Sequence, residues 1–248
     1  MSLRRFRADL HIHSCLSPCG ELMMSPRRIV ERALETGLDM IAVCDHNAAD
    51  NAAAAMRAAA GTALKVFPGL EITTEEEVHL LAVFETMDEI RPVAEAVTAR
   101  LPVIRADKTF LRDQILVNEA DEVIGFHPHF LMGATSLPLD ELVGLIHAHG
   151  GLAFAAHIDR PAFGLLSQLG FVPPGLNLDA LEVSPQMTPA RARTALHPPS
   201  FLPLLTFSDA HRPEDIGART TDFLLAASRL DEIRLALAGR DGRKILTP

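Results

Sequence analysis

Five short segments rich in histidine and acidic residues are spread along this chain, and most of them follow a short apolar run. They are Asp9-Leu10-His11-Ile12-His13, Cys44-Asp45-His46-Asn47, Gly69-Leu70-Glu71, Ala156-His157-Ile158-Asp159 and Ser208-Asp209-Ala210-His211. Imidazole and carboxylate are the ligand types that zinc, manganese and iron share. Because the segments are far apart in sequence, only the tertiary fold can gather them. The pattern therefore predicts a site for more than one metal ion.

Apolar runs that read as strands alternate with segments that read as helices, which favours an α/β fold with a mainly parallel sheet. Ser25 and Pro26 are typical of a helix start, and Gly37 of its end. Further helices are predicted at 48–60, 88–101, 139–148 and 231–237, and strands at 40–43, 65–67, 78–84, 152–156, 204–207 and 223–227. In the segment 102–135 the apolar residues recur with neither a clear helical nor a clear strand period. Ligand-bearing residues at the carboxyl ends of successive strands are what an active site on such a sheet requires.

Length and charge restrict the class of protein. The chain has 248 residues without an internal repeat, a linker or a break in composition, so we expect a single domain over residues 1–248. It has no apolar stretch long enough to span a membrane, and Asp9 and His11 interrupt the basic start before any secretory segment; we therefore expect no membrane partner and a cytoplasmic location. A net charge of −9 argues against long nucleic acid as a partner, because neutralising phosphates needs a basic surface.

The order of the motifs resembles the polymerase-and-histidinol-phosphatase (PHP) domain family. Its members carry an opening HxH motif, a DH pair, a glutamate, a mid-chain histidine and a closing DxH motif. The matching residues here, over roughly 9–211, are His11 and His13, Asp45-His46, Glu71, His157, and Asp209 and His211. A lone HxH motif is weak evidence, whereas the ordered set is specific. The resemblance implies a distorted (β/α)7 TIM-like barrel and a centre of two or three divalent transition metals, zinc, manganese or iron.

The spacing within each motif supports metal binding independently. His11 and His13 are two residues apart in a predicted strand, so both side chains leave the same face and two imidazoles can share one ion. Asp209 and His211 repeat this spacing at the end of another strand. Glu71 has two carboxylate oxygens and can bridge two ions, as a histidine cannot.

Two further positions leave alternatives open. His46 follows a buried strand and is the better ligand candidate, while Asp45 either ligates or caps the next helix. His79 opens an apolar run soon after the glutamate, where family members that resemble this chain place a ligand. Some members instead take a ligand from a GFH segment, which here contains His127 and His129. We favour His79 because a predictable strand fixes its direction.

The predicted metal ligands are His11, His13, His46, Glu71, His79, His157, Asp209 and His211.

The chain departs from the family pattern at one position. Five or six residues after the HxH pair, where the family often has an aspartate or histidine ligand, the sequence reads Ser17-Pro18-Cys19-Gly20-Glu21. Either Cys19 or Glu21 replaces that ligand, or Cys19 only packs and water fills the position. A thiolate would shift the preference toward zinc or iron over manganese.

Together with the resemblance to the PHP family, these features predict a metal-dependent phosphoesterase that hydrolyses a small phosphomonoester or nucleotide. Arg160 is a candidate for binding the substrate phosphate, since a guanidinium contacts two oxygens at once. His157 and His211 are candidates for protonating the leaving group where they are not committed to metal. The alternatives are an exonuclease-like phosphodiesterase acting on short oligonucleotides, and a non-catalytic metal-binding regulatory module.

Overall fold

The structure is a computed structural model that describes residues 2–102 and 114–246. Its strands are β1 (Arg4–Ile12), β2 (Met40–His46), β3 (Lys65–Thr73), β4 (His79–Val83), β5 (Ile115–Val117), β6 (Val123–Phe126), β7 (Leu152–Ala155), β8 (Ala180–Val183), β9 (Leu204–Thr206), β10 (Thr221–Leu225) and β11 (Lys244–Leu246). Its α-helices are α1 (Pro26–Glu35), α2 (Asp50–Ala58), α3 (Met87–Thr98), α4 (Leu139–Ala148), α5 (Leu165–Leu169), α6 (Pro189–Ala195) and α7 (Leu230–Leu237). Part of the segment without a clean period, residues 103–113, lies outside the described residues.

Nine of these strands form one curled sheet in the order β11-β10-β1-β2-β3-β4-β7-β8-β9, and β5 pairs only with β6. The pairs from β1 to β3 and from β7 to β9 are parallel, whereas β4 is antiparallel to β3 and to β7. A parallel bridge between Ile12 and Ala210 brings the end of β1 back to the segment after β9, so the sheet curls into a half-barrel. The expected α/β barrel-like architecture is confirmed, although the sheet is more mixed than the mainly parallel one predicted.

The inner face of the curled sheet is apolar along most of its depth. Phe67, Leu81 and Phe154 pack there against each other and against one face of α7. Burying a phenylalanine side chain contributes roughly 1.5–3 kcal/mol, so this cluster stabilises the barrel strongly. Because side chains alternate across a strand, the same inward rows continue into Glu71 on β3 and His79 on β4. The polar groups at this end of the sheet therefore lie on a layer of buried apolar side chains, which we call the apolar floor.

An irregularity in β1 places His11 on the inner side. The register of β1 against β2 shifts between Asp9 and Ile12. Leu10 belongs to the inner apolar cluster and Ile12 to the outer cluster beneath α1 and α2. His11, between them, nevertheless faces inward to Glu182. An extra residue in a strand shifts the alternation of its side chains, so both Leu10 and His11 are directed inward.

The outer face of the sheet is covered by helices, α1 and α2 over one part and α3 to α6 over the other. The helices predicted at 88–101, 139–148 and 231–237 are present as α3, α4 and α7. Strand β8 and the short helices α5 and α6 were not predicted, because four to seven residues carry too little periodicity. In the part of the chain that is described, no helix has the length and apolarity to cross a membrane.

Candidate metal centre

The structure brings all eight predicted ligands to one edge of the curled sheet. Strands β1, β2, β3, β7 and β9 direct their carboxyl ends to this edge, where they or the residues just after them supply His11, His13, His46, Glu71, His157, Asp209 and His211. His79 reaches the same edge for a different reason. Because β4 is antiparallel, its first residue lies level with Thr73, near the end of β3.

Glu71 lies at the centre of this group and is almost fully buried. Five imidazole nitrogens surround its carboxylate at 2.9–3.5 Å, those of His79, His157 and His11 around Oε1 and those of His46 and His13 around Oε2. Five protonated imidazoles around one carboxylate would repel each other. If all five imidazoles were neutral, those that donate through their other ring nitrogen would direct a nitrogen lone pair at a carboxylate oxygen, and the two would repel each other. Cations between these nitrogens and oxygens relieve both conflicts.

Hydrogen bonds prepare two of the imidazoles for a cation. The Nδ1 of His11 donates to Glu182 at 3.0 Å, because an ionised carboxylate can only accept. Ser17 Oγ gives its single proton to Asp45 at 2.6 Å and therefore accepts from His13 Nδ1 at 3.0 Å. In both rings Nε2 is then the atom with the free lone pair, and the two Nε2 atoms lie 3.2 Å apart. Such partners fix the tautomer that a metal requires.

Asp209 completes one side of the group. Its Oδ1 lies 3.3 Å from His11 Nε2 and 3.2 Å from His13 Nε2. Arg160 approaches Oδ2 to 2.5 Å, yet among the described residues neither oxygen of Asp209 has a hydrogen-bond partner of good geometry, although both are buried. Buried polar atoms are normally paired. A buried carboxylate that lacks a hydrogen bond of good geometry and faces two imidazole nitrogens fits a metal ligand.

A second set of donors, which we call the Cys19 cluster, consists of Cys19, His13, His46 and His211. Each residue offers one donor atom, and these atoms all lie within 4.8 Å of one another. His211 Nδ1 donates to the main-chain oxygen of Asp209 at 2.8 Å, and its Nε2 lies 3.1 Å from Cys19 Sγ. The residue types and their spacing suit one further ion.

His127 and His129 lie apart from this group. His127 Nδ1 contacts the main chain of His129, and its Nε2 lies 4.0 Å from Asp50 Oδ2. Both histidines line a separate groove of about 560 Å³ beside α3. Of the two alternatives that the sequence left open, the structure therefore brings His79 to the Glu71 carboxylate and leaves His127 elsewhere.

Asp45 neither faces the group nor caps the next helix. Its Oδ1 accepts from the Ser14 main chain at 2.7 Å and from Ser17 Oγ, while its Oδ2 accepts from Ser14 Oγ at 2.6 Å. The residue before α2 is Ala49, which provides no side-chain cap. The contribution of Asp45 is to hold the loop after β1, which carries Ser17.

Sequence reasoning missed Glu182, a buried residue on β8. Besides accepting from His11, its carboxylate accepts from the main-chain N–H of His157 at 3.1 Å. It thereby fixes the orientation of two predicted ligands from a strand that supplies none. The available signal was a glutamate in the otherwise apolar run Ala180–Val183, since a charge is rarely buried without a partner.

The backbone is strained at two of the predicted ligands. His157 has φ of +27° and Asp209 has φ of +49°, in the region that favours glycine. Such conformations cost about 1–3 kcal/mol each and concentrate at functional sites. His157 lies two residues after the end of β7 and Asp209 three residues after the end of β9, in the turns that direct their side chains to the group around Glu71.

A small cavity of about 120 Å³ opens onto the group. Glu71, His79, Asp209 and Cys19 contribute to its wall, and its rim includes Arg160, Met132 and Phe163. The Phe163 ring stacks on His79 with 4.4 Å between ring centroids. Pockets for drug-sized ligands measure about 300–1,000 Å³. Only a small group such as a phosphoryl group fits inside, and the rest of any ligand would lie over the rim.

Protonation and metal binding compete at His13. Burial opposes its charge, but the carboxylates of Asp209 and Glu71, 3.2 and 3.3 Å from its Nε2, raise the pKa of His13 from its usual 6.5 to about 9. Burial and the nearby His13 lower the pKa of His211 to about 4. Without a cation, His13 therefore carries a proton at neutral pH where a metal would need a lone pair.

We predict that metal-free and metal-loaded protein respond oppositely to pH. The protonated His13 stabilises the metal-free fold below pH 6.5, and this stabilisation is lost as the pH rises to about 9. Bound ions face less competition from protons over the same interval. The difference in Tm between loaded and chelated protein should therefore widen with pH, as measured by calorimetry with and without a chelator. If the Tm of chelated protein rose across this interval, the assignment of a proton to His13 would be wrong. In the His13→Gln variant, the Tm of chelated protein should no longer fall with pH over this interval.

The sequence matches the family model described as PHP domain over residues 9–168. No curated protein matches the chain. The lesion-specific endonuclease PfuEndoQ from Pyrococcus furiosus is similar in structure, with a TM-score of 0.70 and 21% identity over 98% of this chain and 58% of that one. The structure of Endonuclease Q in complex with a 27-mer duplex substrate, with an abasic lesion at the active site, is also similar. Its TM-score is 0.71, with 20% identity over 97% of this chain and 58% of that one.

A protein from Bifidobacterium adolescentis assigned as a metal-dependent phosphoesterase has a TM-score of 0.58 and 20% identity, over 82% of this chain and 87% of that one. At these identities the likeness concerns the fold alone. This chain spans 58% of the length of the two endonuclease chains.

Proposed function

The chain belongs to the PHP domain family, and on that premise we propose that it is a metal-dependent phosphoesterase that hydrolyses a small phosphate ester, a phosphomonoester or a nucleotide. The observation that carries this proposal is the buried Glu71 carboxylate with five imidazole nitrogens within 3.5 Å of its oxygens. A carboxylate in this position suits a bridge between ions, because each of its oxygens faces a different set of nitrogens.

Three donor sets support a centre of two or three ions. The first set is His11, His13, Glu71 and Asp209, the second is Glu71, His79 and His157, and the third is the Cys19 cluster. Imidazole with carboxylate suits zinc, manganese or iron. Divalent ions held there would lower the pKa of a water molecule and neutralise charge on the phosphoryl oxygens.

The chain's own groups would hold the substrate. Arg160 lies on the rim with its guanidinium beside Asp209, and its side chain is 38% exposed. We propose that it binds a phosphoryl oxygen, because its fork of N–H donors matches two oxygens at once. The small volume of the cavity admits the phosphoryl group and leaves the alcohol part of the ester at the rim, against Phe163 and Met132.

We propose metal ligation as the main role of His157 and His211. His211 borders the cavity, but both of its ring nitrogens already have partners, the Asp209 main chain and Cys19. His157 has an Nδ1 atom without a partner among the described residues, but it is not part of the cavity wall. Protonation of the leaving group by His211 would first need one of its ring nitrogens to be released, and protonation by His157 would need a substrate that reaches beyond the cavity wall.

A phosphodiesterase is the second candidate function. It is favoured by the similarity to Endonuclease Q, which has been seen in complex with duplex DNA. The net charge of −9 supports a small substrate instead, because it provides no general basic surface for long nucleic acid. Our proposal also includes a single domain over residues 1–248 and a cytoplasmic location.

Hydrolysis by protein of defined metal content tests the proposal. We expect metal-stripped protein to be inactive and protein reloaded with manganese, zinc or iron to release phosphate from p-nitrophenyl phosphate and from one or more nucleotides or sugar phosphates. The specificity constant for p-nitrophenyl phosphate should exceed that for bis-p-nitrophenyl phosphate by about tenfold or more, roughly 1.4 kcal/mol in transition-state stabilisation.

The outcomes separate the candidate functions. Cleavage of the diester, or of a duplex with an abasic site, without monoester hydrolysis would replace the proposal with the phosphodiesterase. Stoichiometric metal binding without turnover of any ester would indicate a non-catalytic metal-binding module. Activity that survives complete removal of metal would overturn the metal-dependent mechanism.

A further inference from the structure

The Cys19 cluster contains the one sulfur donor among the candidate ligands described above. This sulfur is held in contact with the imidazole of His211. His211 Nδ1 donates to the Asp209 main chain, so its Nε2 lone pair is directed at Cys19 Sγ, 3.1 Å away. His46 is buried; its Nδ1 lies 3.2 Å from Glu71 Oε2 but makes no hydrogen bond among the described residues, and one of its ring nitrogens lies within 4.8 Å of Cys19 Sγ. An unpartnered buried imidazole beside a thiol and a second imidazole is a metal-binding set rather than ordinary packing.

The loop that carries Cys19 is built to hold it beside His211. The main-chain N–H of Glu21 donates to the carbonyl of His211 at 2.9 Å, which ties the two segments together. Gly20 donates to Ser17 at 2.9 Å, and a Cβ at Gly20 would lie only 2.7 Å from the Ser14 carbonyl. A larger residue at position 20 would push the loop outward. The position of Cys19 is therefore fixed by backbone contacts on both sides.

Glu21, the other replacement considered for the family ligand, is directed elsewhere. Its carboxylate lies 3.3 Å from Arg212 Nε, and its side chain is 49% exposed. The two remaining cysteines also differ from Cys19. Cys15 is buried with Sγ 3.9 Å from the Ile115 carbonyl, and Cys44 is buried with Sγ 3.5 Å from the Leu10 carbonyl. Only Cys19 is both exposed and in contact with an imidazole nitrogen.

We infer that Cys19 donates a thiolate, together with His46 and His211, to one ion of the centre, and that this sulfur makes the position selective for a thiophilic ion such as Zn²⁺ or Fe²⁺. The inference rests on the proposed metal centre. On binding, the S–H bond breaks, the proton leaves to solvent, and the sulfur lone pair forms the bond to the ion, without any change in oxidation state. Thiolate ligands favour zinc and iron, whereas manganese prefers oxygen donors.

Cobalt(II) substitution tests the inference without measuring turnover. Protein reloaded with Co²⁺ should show a near-ultraviolet thiolate-to-cobalt charge-transfer band. Cys19→Ser should lose the band and weaken binding of one ion by more than about 10- to 100-fold, the range seen when groups that merely support a ligand are lost. Cys19→His should lose the band but keep that ion, because imidazole restores a nitrogen donor. Cys15→Ser is the matched control and should keep both the charge-transfer band and the affinity for that ion.

Alkylation of the wild-type protein gives a second measurement that does not depend on a variant folding. At alkaline pH, iodoacetamide should modify Cys19 more slowly in metal-loaded protein than after chelation, as followed by peptide mass spectrometry, while buried Cys15 stays unmodified in both. The alkaline pH is needed because burial and the nearby Glu71 raise the pKa of the metal-free Cys19 thiol to about 12. Wild-type protein that binds its ions and hydrolyses ester without the band, or equal alkylation with and without metal, would overturn the inference alone. Protein that binds no ion would instead overturn the proposed function.

Discussion

Replacing Glu71 by glutamine should abolish both metal retention and hydrolysis. The substitution keeps the size of the side chain but removes the negative charge at the centre of five imidazoles. One of its two oxygens becomes an NH₂ group that donates and cannot ligate. Because two of the three donor sets share Glu71, we expect the loss of more than one equivalent of metal and a fall in kcat/KM well beyond the roughly 10- to 100-fold cost of losing a supporting group.

The control for Glu71→Gln is Glu75→Gln, the same change at an exposed residue just beyond β3. It should retain the metal content, measured by elemental analysis, and the kinetics of the wild type. The Glu71→Gln protein should remain folded by circular dichroism, since the apolar floor beneath Glu71 is untouched. A folded Glu71→Gln protein with full metal content and normal turnover would show that Glu71 is not a ligand.

The second large effect distinguishes His79 from His127. His79→Ala should lose bound metal and most hydrolysis, because His79 Nδ1 lies 2.9 Å from Glu71 and 3.3 Å from His157 Nε2. His127→Ala should keep the metal and change substrate affinity at most. The two residues form a matched pair, since they are 7% and 6% exposed and each substitution leaves a similar cavity.

Elemental analysis and single-turnover kinetics of the two variants decide this choice. We expect the two variants to lose similar amounts of thermal stability, whereas only His79→Ala loses bound metal. If His127→Ala loses metal and His79→Ala retains it, the segment around His127 supplies the ligand. If both variants retain metal, the second donor set consists of Glu71 and His157 with water.

Much of this site was predictable because the chemistry of a ligand is a local property of the sequence. His11, Glu71, His157 and Asp209 were recognised by residue type and by their positions near the ends of apolar runs, and the structure brings them together at one edge. Apolar runs long enough to show a period also predicted most of the helices and strands. Residue type, spacing and the resemblance to the PHP family were enough to identify the eight candidate ligands without tertiary information.

The direction and register of the strands were decided by the tertiary structure. His79 reaches the site because β4 is antiparallel, and nothing in its own five residues determines that direction. His11 faces inward because β1 shifts its register, and Glu182 supports it from a strand too short to predict. Cys19 faces His211 because a main-chain hydrogen bond joins segments about 190 residues apart. Residue type is encoded position by position, whereas strand pairing and burial are set by contacts between distant segments, and these contacts exist only once the chain has folded.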